Sequence, residues 1–158
     1  DGDLAKAAPE ELAERVARAI RRVKPDAVVT FGPDGITRHP DHVAIGRAAT
    51  AAFHRVRRRE GYRYPRRLYH VALPESLRRH FDRDTLVYIP DEQITASVDV
   101  SAFLEVKLRA IACHASQEDA QGFLAQAEAW RKSGAWTRET FVRAWPRGRR
   151  KDRGLLES

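Results

Sequence analysis

The five residues Ala27-Val28-Val29-Thr30-Phe31, apolar and β-branched, stand between two stretches of helical periodicity. A run this short, bounded by turn residues on both sides, has the pattern of a strand buried in a parallel sheet. Ahead of it, after Pro9, Leu12, Val16, Ala19, Ile20 and Val23 recur at helical spacing, while Glu10, Glu11, Glu14, Arg15, Arg18, Arg21 and Arg22 fill the other face. Acids come first and bases last, as the helix dipole favours. Lys24-Pro25-Asp26 stops that helix. Beyond the strand, Gly32 to Arg38 carries two glycines and a proline. A second helix is predicted from about Asp41 to Arg58 on Val43, Ala44, Ala48, Ala51, Ala52 and Val56. The helix-strand-helix order predicts a Rossmann-like layered α/β domain with a mostly parallel sheet and Ala27 to Phe31 buried within it.

The rest of the chain extends this pattern. Leu68 to Leu73 reads as a strand and Glu75 to Phe81 as a short helical turn. Thr85 to Ile89 and Gln93 to Val98 read as two strands across a Pro-Asp-Glu turn, an antiparallel addition. A helix is predicted from about Ser101 to His114 on Phe103, Leu104, Leu108 and Ile111. Another is predicted from Ser116, with Asp119 at capping-box spacing, to about Lys132. Thr140 to Trp145 is a candidate last strand. A chain of 158 residues is the size of one domain. We assign 1–146 to it and 147–158 to a basic tail too polar to pack well.

Composition narrows the function classes. Cys113 is the one cysteine, which excludes an internal disulfide. No apolar run approaches the roughly 20 residues that span a bilayer, so no membrane span and a cytoplasmic location are expected. The formal charge of +7 is carried mostly by arginine, clustered at Arg55, Arg57, Arg58 and Arg59 and again at Arg147, Arg149, Arg150, Lys151 and Arg153. With no aromatic platform or zinc-finger spacing beside them, these read as a solvated face and a loose tail; nucleic acid is not expected as a partner. A basic polyanion-binding module is the alternative that would make them functional. The chain contains no methionine, so a segment ahead of Asp1 is expected to have been removed.

The residues with the most chemistry are His39-Pro40-Asp41-His42. They sit where the loop after a sheet strand enters the next helix, the usual place of ligand sites in open α/β folds. Pro40 biases His39 toward extended backbone, whereas His42 falls in the helix's first turn, so the two rings can hold different roles. Asp41, near a helix N-terminus, is favoured as a carboxylate and is expected to hold a ring N–H of His39 and keep that imidazole cationic. The bland alternative is a helix-entry loop with incidental histidines, because a lone His-x-x-His is a weak pattern.

Phe31 to His42 (FGPDGITRHPDH) resembles the second signature of the LmbE-like, or PIG-L, N-acetylglucosaminyl deacetylases, in which a strand runs into a Gly-rich loop and His-Pro-Asp-His. Lys107 to Gln117 (KLRAIACHASQ) resembles that family's later Lys-x-x-Ala-x-x-x-His-x-Ser-Gln motif, and Asp1-Gly2-Asp3-Leu4 fits the turn before this half. The resemblance implies a hydrolase with Zn2+ as cofactor and an N-acetylated amino-sugar substrate. It makes His42 a metal ligand and His39, oriented by Asp41, the residue that stabilises the developing oxyanion. His114 is a further candidate contributor, with a structural role as the alternative. Catalytic zinc commonly has three protein ligands. The family's other ligands and its Asp base lie in an earlier Ala-His-Pro-Asp-Asp-Glu signature that this sequence does not contain. The expectation is therefore the C-terminal part of such a domain, incomplete on its N-terminal side, completed by a missing N-terminal segment and inactive alone. A degenerate relative that binds a sugar or nucleotide without chemistry is the other alternative. Thr37-Arg38 departs from the glycine that many relatives carry before the first histidine.

Overall fold

The computed structural model describes residues 2–61, 63–80, 84–116, 118–134 and 136–148, together with Asp152 and Leu155. After a 3-10 turn at Leu4–Lys6, helix α1 spans Pro9–Val23 and strand β1 spans Ala27–Phe31. Pro9 at the first helical position and Lys24 in the left-handed conformation (φ 52°) set the ends of α1. Helix α2 (Pro40–Arg59) and strand β2 (Arg67–Val71) complete the leading unit. Short strands β3 (Leu73–Pro74) and β4 (Tyr88–Ile89) flank a 3-10 turn at Glu75–His80. Strand β5 (Ala96–Asp99), helices α3 (Leu104–Ala112), α4 (Glu118–Ala125) and α5 (Ala127–Ser133), and strand β6 (Arg138–Trp145) follow.

The main sheet has the order β1-β2-β6-β5 and is open and partly parallel. β1 pairs parallel with β2, whereas β6 pairs antiparallel with both β2 and β5. The expected α/β class holds, and the expected mostly parallel pairing gives way to a mixed one, because β6 enters between β2 and β5 in the opposite sense. β1, β2 and β5 therefore run in one direction. The strands expected at Thr85–Ile89 and Gln93–Val98 do not form one hairpin: β4 pairs parallel with β3 in a second sheet, and β5 joins the main sheet. Gln93 itself lies in a 3-10 turn. The single helix expected to run to about Lys132 is two, α4 and α5, separated at Gln126. The Ser116–Asp119 cap and Phe81 involve residues outside those whose structure or side chains are described.

One face of the sheet is covered by α1 and α2. Ala17 and Ile20 of α1 pack with Ala52 and Val56 of α2, and Val28 of β1 joins them. Leu12 and Ala13 meet Ala48 near the start of both helices. Ala19 and Val23, expected on the buried face, are exposed, and Ala13 and Ala17 take the core positions instead. On the opposite face Tyr69, Ala96 and Phe141 form a cluster with Ala27, Val71 and Leu155. Strand alternation sends neighbouring side chains to opposite faces, which is why Ala27 and Val28 belong to different clusters. Among the described residues β1 is an edge strand, half-buried and not fully buried as expected, with Val29 44% exposed.

The segment after Pro146 is not simply loose. Asp152 bridges to Ala96, and its backbone N–H donates to Thr95 O at 2.7 Å. Its carboxylate accepts from Tyr69 Oη at 2.8 Å and from the Arg143 guanidinium, with the two charged side chains 6% and 12% exposed. Removing one partner of such a buried pair strands the other charge away from water. Burial, followed by Asp152, pushes the Tyr69 hydroxyl up to about 12.

Candidate functional site

The loop between β1 and α2 is built from tight local bonds. Gly35 N–H donates to Gly32 O at 3.1 Å, Ile36 N–H to Asp34 Oδ1 at 2.7 Å and Arg38 N–H to Asp34 O at 2.9 Å. Gly35, Ile36 and Arg38 all have positive φ (65°, 65° and 56°). For a β-branched residue such as Ile36 this is a strained conformation, held here by the Asp34 side chain and by Val87 N–H, which donates to Ile36 O at 2.7 Å. At Gly35 a Cβ would lie 2.8 Å from His42 Cβ, so this position requires glycine for space as well as for φ. Gly46 serves the same end from the helix side: a Cβ there would lie 2.6 Å from Phe31 O, so only glycine lets α2 pack directly over the end of β1.

This close approach places the histidines at the carboxyl end of β1, as the sequence predicts. His42 stacks on Phe31 with ring centroids 4.1 Å apart and planes 6° from parallel. Its Nδ1 is 3.1 Å from Gly35 O and 3.3 Å from Thr37 Oγ1. A carbonyl oxygen only accepts, so Nδ1 is the donor and the lone pair is on Nε2. That is the tautomer of a metal-binding imidazole whose other nitrogen is fixed by a backbone carbonyl.

His39 lies beside it, ring centroids 5.0 Å apart. It has the extended backbone expected before proline (φ −61°, ψ 129°) and is the N-cap of α2. Its Nδ1 accepts from Asp41 N–H at 3.2 Å, which puts the ring proton on Nε2. This differs from the expected arrangement, in which the Asp41 carboxylate held a ring N–H of a cationic His39. The carboxylate oxygens of Asp41 instead accept from Gly2 N–H and Ala5 N–H, each at 2.8 Å. The Ala5 N–H bond, then the Gly2 N–H bond and nearby His39, hold the Asp41 carboxyl below its ordinary value against the opposing effect of burial. Asp41 thus fastens the start of the chain to the start of α2.

His70, given no role on sequence grounds, comes close to this loop. It pairs with Thr30 across β1 and β2, and its Nε2 is 3.3 Å from Thr50 Oγ1. A Cβ on Gly32 would be 3.6 Å from His70 Cβ and 3.8 Å from Asp34 Oδ2. Burial lowers the His70 pKa, opposed by the Asp34 carboxylate. Among the described residues no three His, Cys, Asp or Glu side chains gather closely enough to hold a metal ion.

Comparison with known proteins adds an independent line of evidence. The PIG-L family model (GlcNAc-PI de-N-acetylase) matches residues 1–53, which include the whole histidine loop. A protein of Saccharomonospora viridis named 1D-myo-inositol 2-acetamido-2-deoxy-alpha-D-glucopyranoside deacetylase is 35% identical over 126 residues, covering 71% of this chain and 45% of the relative. A protein of the same name from Kineococcus radiotolerans is 32% identical over 137 residues, covering 72% of this chain and 38% of the relative. The chain belongs to the PIG-L, LmbE-like family. Its matched stretch spans less than half the length of these curated relatives.

The second stretch that resembles the PIG-L family lies on α3 and beyond. Lys107 pairs with Glu139 of β6, and its ammonium lies 4.2 Å from the Trp136 ring centroid, so it holds α3 to the sheet. His114 is exposed just past the end of α3, with its backbone N–H bonded to Ile111 O at 2.9 Å. Its ring joins no hydrogen bond or ring contact with His39 or His42. Gln117 lies outside the described residues.

Of the arginines at 55–59, Arg55 pairs with Glu10 at 2.6 Å and Glu14 at 3.4 Å, and Arg57 donates to Pro65 O and lies over the Trp145 ring. These two are thus engaged within the domain, which weakens the polyanion-binding alternative. Arg149, Arg150, Lys151 and Arg153 lie outside the described residues. No helix among the described residues is long and apolar enough to cross a membrane.

Sequence reasoning gave no separate site role to Gly35, Gly46, Phe31 or His70. The signals for the first two were present: a glycine beside a proline loop, and an isolated glycine inside a helical pattern, which marks a close approach.

Proposed function

We propose that the chain forms part of a zinc-dependent amide hydrolase that removes an acetyl group from the amine of an N-acetylglucosamine-type substrate, in the cytoplasm. The observation that carries the reading is the His42 imidazole, locked by Gly35 O through Nδ1 and left with its Nε2 lone pair at the carboxyl end of β1. The names of the PIG-L relatives support the reaction class.

His42 would hold the metal through Nε2. A bound zinc supplies Lewis-acid polarisation of the amide carbonyl and an acidified water. His39, with its proton on Nε2, is the donor for the oxyanion that develops on that carbonyl, while its Nδ1 stays anchored on Asp41 N–H. The role of Asp41 in this reading is structural, through Gly2 and Ala5 and through its own N–H, and no longer that of a carboxylate paired to the ring. His114 keeps at most a structural role. In this reading His42 is the one metal ligand assigned among the described residues, where no three His, Cys, Asp or Glu side chains gather.

Acetate release from N-acetylglucosaminyl substrates, measured with zinc content on the protein as it occurs in the cell, tests the proposal. Release that stops when zinc is chelated and returns on its addition is the expected result. A metal-bearing protein that releases no acetate supports the degenerate relative instead, and a metal-free one with activity overturns the zinc assignment.

A further inference from the structure

The edge of the sheet opposite the histidine loop gathers arginines. β1 and β2 begin there and β6 ends there: the Arg66 and Arg67 N–H groups donate to Asp26 O at 2.8 and 3.0 Å, and Trp145 stands opposite Leu68. α2 also ends at this edge, where Arg57 Nη1 donates to Pro65 O at 3.2 Å. Along α2, at 1.5 Å per residue, Arg58 is about 24 Å from His42, so this edge is remote from the histidine loop.

His54, Arg57 and Trp145 form one cluster here. The His54 and Trp145 rings meet edge to face with centroids 5.4 Å apart, and the Arg57 guanidinium lies 5.6 Å from the Trp145 centroid. Arg58 is one turn beyond His54 on the same side of α2, and Arg147 follows Trp145 by two residues. Burial lowers the His54 pKa, and the charges of Arg58, Arg57 and Arg147 lower it further. The carboxylates of this edge are engaged elsewhere: Asp26 with Arg66, Glu60 with Tyr64, and Asp152 with Arg143 and Tyr69. Arg58 and Arg147 are exposed and have no ion-pair or hydrogen-bond partner among the described residues. Arg58, in the last turn of α2, also complements the helix dipole; Arg147 lies outside any helix and has no such role.

The uncommitted groups of this cluster are donors. Trp145 Nε1, which can only donate, is buried without an acceptor among the described residues. Guanidinium forks match the oxygens of a phosphate, and a protonated His54 adds a further donor beside them. The Trp145 ring is already engaged by Arg57 and His54, so it offers no platform for a stacked base, which disfavours a polynucleotide.

We propose that His54, Arg58 and Arg147 form a site for a phosphate dianion, free or as the monoester of a small molecule. The proposal is independent of the deacetylase reading.

The His54 ring reports occupancy. The protein as it occurs in the cell is titrated with sodium phosphate, with methyl phosphate and, at matched ionic strength, with sodium chloride, and the His54 resonances are followed by NMR across pH. Saturating phosphate is expected to raise the His54 pKa by about one unit relative to chloride, equivalent to about 10-fold tighter binding to the imidazolium form. Arg58→Gln with Arg147→Gln, both at exposed positions, should abolish this effect, whereas Arg59→Gln should keep it. Without phosphate, the double variant should show a higher His54 pKa than the parent, because two repelling charges are gone. An equal effect of methyl phosphate assigns the site to the monoester, and an effect confined to inorganic phosphate assigns it to the free ion. The absence of a saturable phosphate effect beyond that of chloride, or one that persists in the double variant, overturns the proposal. So does a single-stranded oligonucleotide that binds more tightly per phosphate group than methyl phosphate and loses affinity steeply with salt, the behaviour of a nucleic-acid surface.

Discussion

Gly46→Ala is the substitution in which two opposing magnitudes decide the outcome. In an unobstructed helix interior, alanine in place of glycine stabilises by about 1 kcal/mol. Here the new methyl would lie 2.6 Å from Phe31 O, 3.1 Å from Gly32 O and 3.2 Å from Phe31 C, all backbone atoms that no rotamer change can move. Helix and strand end must separate by about half an ångström or more, and overpacking of this kind costs about 1–3 kcal/mol. Looser packing of α2 on the sheet adds to that cost, since Ala49 and Phe53 on the buried side of α2 move with the helix. The net expectation is a loss of about 1–2 kcal/mol, which for a domain of this size lowers Tm by roughly 3–6 °C. Thermal and urea unfolding followed by circular dichroism measures it. Ala48→Gly, in the same helix and 4% exposed, is the control and should also destabilise, by about 1 kcal/mol from propensity plus the lost methyl. If Gly46→Ala proves as stable as the parent or more so, the close approach of α2 to the end of β1 is wrong, and with it the placement of His42 on Phe31.

Three further outcomes follow from buried or anchored groups. Tyr69 has its pKa raised to about 12, so its contribution is intact below pH 10 and is lost as pH rises toward 12. Alkaline unfolding monitored with phenolate absorbance should show stability falling by on the order of 1 kcal/mol per pH unit in that window, with Tyr69→Phe removing the dependence. Asp41 has its pKa lowered, so its hold on Gly2 and Ala5 persists above the ordinary value of 3.8 and is lost as pH falls through the depressed one. Exchange of the Ala5 amide should accelerate there before global unfolding, and in Asp41→Ala it should be fast at every pH. His70 is held neutral by burial, so the unfolded chain takes up its proton first as pH falls below about 6.5. Stability should decline from that point downward, and less steeply in His70→Gln.

The leading unit was legible because its signals are local. Pro9 and Lys24 to Asp26 bracket α1, and the β-branched run from Ala27 to Phe31 coincides with β1. The extended backbone of His39 and the first-turn place of His42 follow from Pro40 alone. What the sequence does not display are partners chosen by the tertiary fold. The Asp41 carboxylate binds N–H groups 39 and 36 residues away, partners that its closeness in sequence to His39 does not suggest. Tyr88–Ile89 is too short to declare its pairing, and it joins β3 because Leu73–Pro74 runs alongside it. Asp152 lies in a stretch whose arginines make it read as solvated, yet Tyr69, 83 residues earlier, and Arg143 draw it against the sheet. His114 followed a motif spacing, but α3 is fixed to β6 through Lys107 and leaves that histidine exposed.

The central claim is that His42 is a metal ligand at the carboxyl end of β1 and that His39 is not. Zinc content per chain, measured on the protein as it occurs in the cell and on its His42→Ala and His39→Ala variants, tests it most directly. The account predicts that His42→Ala loses zinc and activity together. It predicts that His39→Ala keeps zinc while kcat falls by roughly two to three orders of magnitude, the usual cost of removing an oxyanion donor. Zinc retained in His42→Ala and lost in His39→Ala would contradict it.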